Sequence, residues 1–188
     1  MERGSERILD EYLVLLAQGG SRPALDLLVR RWTPRLLRHA TRLLGASEPA
    51  RDTVQEIWAG ALRSLRGLSD PAQFPAWIYA IATRKCADAV RRAVRRRRSE
   101  EAAVTDRALN APPPDSMARA GDGLDLSDAL RRLPVDQRIV IDMFYLDDLG
   151  VEEIAAALGI PAGTVKSRLH HARQVLKTHL EGEHHDPH

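Results

Sequence analysis

The sequence predicts an all-α protein: two small helical domains joined by a flexible linker, the C-terminal one a helix-turn-helix. Three observations predict it. Aromatic residues are only 4% of the 188 while hydrophobic residues are 44%, so the cores must be filled by Leu, Ala and Val, as in small helical bundles. No run alternates strictly between apolar and polar residues, as a half-buried strand requires. Residues 99–123 hold Asn110-Ala-Pro-Pro-Pro114, Gly121 and Gly123 with little apolar periodicity, the composition of a tether. The expected organisation is a first helical domain over 1–98, a linker over 99–123, a helix-turn-helix domain over 124–182 and a polar tail over 183–188.

In the first domain, Leu25, Leu28, Val29, Trp32, Leu36, Ala40 and Leu43 recur at helical spacing, with Pro34 expected to kink that helix. Val54, Ile57, Trp58, Ala61, Leu62 and Leu65 trace a second. Phe74-Pro75 opens a long basic helix in which Ile78, Ile81 and Ala82 face inward. After the linker, Leu126, Ala129, Leu130 and Leu133 form a short helix stopped by Pro134. Ile139, Val140, Met143 and Phe144 begin the next.

The segment from Gly150 to Arg173 spells two short helices around a tight turn. Gly150 stands at the N-cap, with Glu153 three residues on, where its carboxylate reaches back to free amides. Gly159 suits a left-handed turn, and Pro161 suits a first helical turn that needs no amide partner. Val165, Leu169, Ala172 and Leu176 then share one face, leaving Lys166, Ser167, His170, Arg173 and Lys177 outward. The cationic, hydrogen-bonding face points to a DNA reader, and a helical hairpin with a merely solvated face is the alternative.

The balance of 28 Lys+Arg against 26 Asp+Glu, +2 overall, announces no nucleic acid by itself. The distribution does. From Arg84 to Arg98 eight basic residues face one carboxylate, Asp88, while Asp10, Asp26, Glu48, Asp52 and Glu56 lie upstream. No apolar segment follows a basic start and no run is long enough to span a bilayer, so a cytoplasmic chain without membrane insertion is expected. Cys86, the single cysteine, reads as packing. His184, His185 and His188 have no partner carboxylates or thiols and read as a frayed end, so no metal site is expected. No phosphate-cradling loop or nucleophile–base set is present, so neither a cofactor nor catalysis is expected.

The string Gly163-Thr-Val-Lys-Ser-Arg-Leu169, followed by Ala172-Arg173, resembles the promoter-reading C-terminal domain of bacterial sigma factors, particularly the extracytoplasmic function (ECF) group. Asp52-Thr-Val-Gln-Glu56 is similar to the Asp-x-Val-Gln-Glu segment with which that family docks on the polymerase clamp, implying polymerase contacts at Asp52, Gln55 and Glu56. The resemblance implies an alternative sigma factor with core RNA polymerase, promoter DNA and an anti-sigma factor as partners. In the minus-thirty-five element, Lys166, Ser167, His170 and His171 would face base edges and Thr164, Arg168 and Arg173 phosphates. In the minus-ten element, the loop from Arg66 to Phe74 would offer Ser69, Asp70 and Gln73, followed by Trp77 and Tyr79 as stacking platforms. Arg84, where the family usually has Asn, would favour acceptor-rich guanine or retreat to a phosphate, and beyond it Arg91 and Arg92 would run along the strand's phosphates. Trp77 reads equally well as core. The chain departs from the family at Ala80, Arg84 and His171, where Arg, Asn and Arg are usual. The competing reading is a stand-alone helix-turn-helix regulator that never enters the polymerase.

Overall fold

The computed structural model describes residues 2–104, 129–130 and 133–182, and all its regular elements are helical. The expectations for residues 105–123 of the linker, for Leu126 and for the tail histidines lie outside the described residues. Seven helices are used below: α1 (Glu2–Gln18), α2 (Arg22–Leu44), α3 (Ser47–Ser64), α4 (Phe74–Val104), α5 (Val135–Tyr145), α6 (Val151–Leu158) and α7 (Ala162–Gly182). Short 3-10 turns at Leu65–Gly67 and Pro71–Gln73 join α3 to α4.

Helix α2 begins where Ser21 accepts a hydrogen bond from the amide of Ala24, with Pro23 in its first turn, and ends at Gly45 in the left-handed region at φ 74°. Pro34 lies inside it on the exposed side, and the helix runs on as one element to Leu44. The apolar stripe is buried as expected: Leu28 and Leu36 are fully covered, and Trp32 meets Phe74 edge-on at a centroid distance of 5.1 Å. Trp58 on α3 donates its indole N–H to Thr33 at 3.0 Å, tying α3 to α2. Helix α4 packs on α2 and α3, with Ile78 and Ile81 inward. It continues to Val104, so residues 99–104 are helical. Cys86 is buried on this helix, and burial pushes its thiol up to about 12.

Helix α1 is the element that the sequence reading left out. Leu13 and Val14 enter the core, while Ile8, Tyr12 and Leu15 stay exposed. Its C-terminal Gln18 donates to the carbonyl oxygens of Leu65 and Leu68, at 2.9 and 2.7 Å. One side-chain amide thus fixes the loop that leads into α4.

In the second group α5 and α7 pack together, with α6 against both. Gly150 precedes α6, and Glu153 accepts from its amide at 2.7 Å, the half of a capping box that a glycine N-cap permits. Gly159 turns the chain at φ 66°. The two groups are not separate: α6 lies against α4, and one apolar cluster runs from Leu13 through Tyr79 to Met143, Ile154 and Leu169.

Gln18→Ala should cost about 1–3 kcal/mol, because two loop carbonyls lose their donor. Urea denaturation measures the loss, and hydrogen exchange should accelerate selectively over residues 65–73. Unchanged exchange there would show that the loop holds itself.

Candidate nucleic-acid interface

On α7 the buried face is Val165, Leu169 and Ala172, and Lys166, Ser167, His170, His171 and Arg173 are exposed, with Thr164 and Arg168 half-buried. Ser167 donates its hydroxyl proton to the Thr164 carbonyl at 3.0 Å, which leaves its oxygen facing outward as an acceptor. The rings of His170 and His171 stand 5.9 Å apart. The seven residues singled out on this helix therefore lie on its solvent side, with Thr164 and Arg168 at the margin of the buried face.

Two arginines of that surface are held by α5. Arg168 pairs with Asp136 at 3.1 Å. Arg173 donates through Nε to the Tyr145 hydroxyl at 2.9 Å, with its guanidinium 5.5 Å from the Phe144 ring centroid and 5.6 Å from that of Tyr145. The restraints differ in kind. A phosphate approaching Arg168 must compete with a carboxylate, whereas Tyr145 orients Arg173 without cancelling its charge. Neither Asp136 nor Tyr145 could be picked out from the sequence, since each meets its arginine across 28 residues or more of intervening chain.

The second group of residues begins in the loop before α4 and extends along that helix. Ser69, Asp70 and Gln73 are exposed. Asp70 caps the 3-10 turn by accepting from the Ala72 amide at 3.0 Å. Trp77 is half-buried, its ring 5.7 Å from Phe74 and tilted by 40°, so one edge remains reachable. Tyr79 is elsewhere. It is fully buried, edge-on to His39 at 5.0 Å, and burial followed by the charge of Asp147 pushes its phenol far above the ordinary range. A base cannot stack on it in this arrangement. Arg84 folds back onto the Ala80 carbonyl at 3.1 Å, and Arg91 is paired with Asp88.

On α3, Asp52 and Gln55 are exposed, with no ion partner for Asp52 among the described residues. Glu56 is engaged, by Arg92 at 2.9 Å and Lys85 at 3.5 Å. It bridges the acidic turn to the basic face of α4.

The family model for Sigma-70 region 2 matches residues 28–96 and that for Sigma-70 region 4 matches residues 123–176. The ECF RNA polymerase sigma-E factor of Escherichia coli K12 is 30% identical over 187 residues, 94% of this chain and 97% of that protein. The chain belongs to the ECF RNA polymerase sigma factors. A second relative, ECF RNA polymerase sigma factor SigE of Mycolicibacterium smegmatis, is 36% identical over 160 residues, and the match spans 84% of this chain and 62% of that protein. Among solved structures, CnrH in complex with the cytosolic domain of CnrY aligns with a TM-score of 0.66 at 26% identity, covering 93% of this chain and 98% of that one. The sigma factor RpoE in complex with the anti-sigma factor NepR from Bartonella quintana gives 0.59 at 26% identity, over 84% and 96%. In ECF terms, α2 to α4 carry region 2 and α5 to α7 carry region 4. Among the described residues there is no helix long and apolar enough to cross a membrane and no cluster that could hold a metal ion.

Two substitutions on α5 should separate charge from positioning in this ECF factor. Asp136→Asn should tighten binding of the full chain to duplex DNA about two- to fivefold, the scale of an exposed ion pair, and steepen the salt slope by up to about one unit. Tyr145→Phe should weaken binding by a similar factor and leave the slope alone, because no charge is lost. Fluorescence anisotropy over a salt series measures both, and identical behaviour of the two variants would show that α5 does not govern the arginines.

Proposed function

We propose that this chain is an alternative sigma factor that binds core RNA polymerase and directs it to promoters, with α7 reading the minus-thirty-five element and the loop before α4 trapping the minus-ten element. The observation that carries the reading is the pairing of regions 2 and 4 in one chain, each presenting an exposed polar surface suited to its half of a promoter. Lys166, Ser167, His170 and His171 read base edges, and Thr164, Arg168 and Arg173 take phosphates. Ser69, Asp70, Gln73 and the free edge of Trp77 receive an extruded base, and Arg84, Arg91 and Arg92 follow the strand. Tyr79 leaves this set and joins the core. Asp52, Gln55 and Glu56 form the polymerase-docking turn. The chain is not an enzyme in this reading: nucleotidyl transfer belongs to the polymerase, and the factor acts in the cytoplasm where the polymerase is. The stand-alone regulator is not favoured, since it has no use for a region 2. Two solved relatives carry bound partners, one of them a named anti-sigma factor, and an anti-sigma protein is the partner we assign here.

The test is run-off transcription with purified core polymerase, which should start at a specific promoter only when the chain is added. Asp52→Arg should abolish association with core polymerase in a pull-down while leaving the helical signal intact, because the residue is exposed and makes no contact that the fold needs. It is a cleaner probe than a reversal at Glu56, which would set a new cation beside Lys85 and Arg92. Undiminished association would remove α3 from the docking surface.

A further inference from the structure

We infer that His170 and His171 couple the reading of the upstream element to a proton, His171 engaging DNA as an imidazolium and His170 as a neutral ring, so that affinity and base preference both change with pH. The inference rests on the assignment of α7 to the minus-thirty-five element and deepens it.

The two histidines stand in consecutive positions on the solvent side of α7, whose buried face is Val165, Leu169 and Ala172. Their rings are 5.9 Å apart at an interplanar angle of 63°, and among the described residues neither has a hydrogen bond or an ion pair. The ring nitrogens are therefore open to a ligand. The arginines of the same face are already engaged: Arg168 pairs with Asp136 at 3.1 Å, and Arg173 Nε donates to the Tyr145 hydroxyl at 2.9 Å. How much further charge this face brings to DNA then depends on the imidazoles, since histidine is the side chain that changes charge between about pH 5 and 8.

The two positions are not equivalent. Helical spacing puts Lys166 four residues before His170 and Arg173 three after it, so a charge on His170 meets a cation on either side. His171 has Ser167 and Arg168 one turn before it, the latter answered by Asp136, and Gln174 and Val175 one turn after. A proton is opposed at His170 more than at His171, and two rings this close resist being charged together. The other charged groups of the helices packed on α7 do not reverse the order. Asp142 of α5 lies beside Arg138 and turns to Arg42, in the buried polar cluster where Asp147 takes His39 and Arg42. On α6, Glu153 accepts from the Gly150 amide and pairs with Arg7, and exposed Glu152 pairs with neither imidazole.

Protonation decides what each ring can read. A neutral imidazole has one donor and one acceptor, and it can accept a hydrogen bond from the exocyclic amine of adenine or cytosine. An imidazolium only donates, to guanine N7 and O6 or to a phosphate oxygen. DNA therefore favours the charged form of His171, and the complex holds more protons than its separated parts. By linkage the affinity rises as the pH falls, and it levels off once His171 is charged in the free chain as well.

The experiment selects duplexes from a randomised pool with the full chain, whose α7 face is exposed, and measures their binding from about pH 8 to about pH 6 at fixed ionic strength. The parent should bind about fivefold or more tightly at the lower pH, and duplexes selected there should gain guanine at one position of the upstream element. His171→Gln should bind weakly throughout and lose the guanine preference. His171→Arg, a permanent cation, should bind tightly and keep guanine throughout, and His170→Gln should retain the pH dependence. These are exposed positions, so the helical signal should not change. Parent affinity that does not vary with pH, a pH dependence that survives His171→Gln, or one lost in His170→Gln would each overturn the proton coupling. Binding and base preference unaltered in the double variant His170→Gln, His171→Gln would overturn it too and would also remove both histidines from the reading face. Loss of base preference in that double variant, together with a flat pH profile in the parent, would overturn the coupling alone and leave the assignment of α7 standing.

Discussion

The carboxylate of Asp147, buried where the two helical groups meet, is the contact on which the arrangement of the whole molecule depends. An ionised acid out of water needs its lone pairs filled and its charge answered, and residues from a different part of the chain do both. That requirement fixes how the turn after α5 meets α2, and so how α6 lies against α4. The aromatic group around Trp32 lies close by: its ring meets Phe74 and Tyr79, and Tyr79 meets His39, so the region 2 core leads without a break to the polar cluster.

Much of this fold was legible in the sequence because helices bury one stripe and the stripe repeats. The faces read from Leu28, Trp32 and Leu36, from Ile57 and Ala61, and from Val165, Leu169 and Ala172 are the faces the structure covers. The turn glycine at 159 adopts the left-handed conformation its position required. Helix α1 went unread although Ile8, Tyr12 and Leu15 recur at helical spacing; that stripe stays in solvent, and Leu13 and Val14 beside it supply the buried contacts.

The candidate site was legible in its residue types and less so in its states. Periodicity separates the inward face of α7 from its outward one, yet it cannot say that Arg168 and Arg173 are held by α5, or that Gln18 anchors a loop some fifty residues away. Such pairings depend on how helices cross, which local spacing does not encode. Tyr79 shows the same limit from the other side. Its place after Trp77 suits a stacking platform, and only the packing of α4 on α2 turns it inward toward Trp32 and His39.

Glu56 has a further consequence. Its two oxygens are shared between Arg92 and Lys85, cations on the same face of α4, so one acid faces two neighbouring surfaces at once. A basic group of the polymerase that captured this carboxylate would release both cations toward phosphate and displace further counterions from the strand. Because coupling between binding sites is reciprocal, DNA drawn onto those freed cations would in turn tighten the hold on the polymerase by the same factor. Docking and strand capture would then be linked through a single side chain, with no change of shape required of either helix.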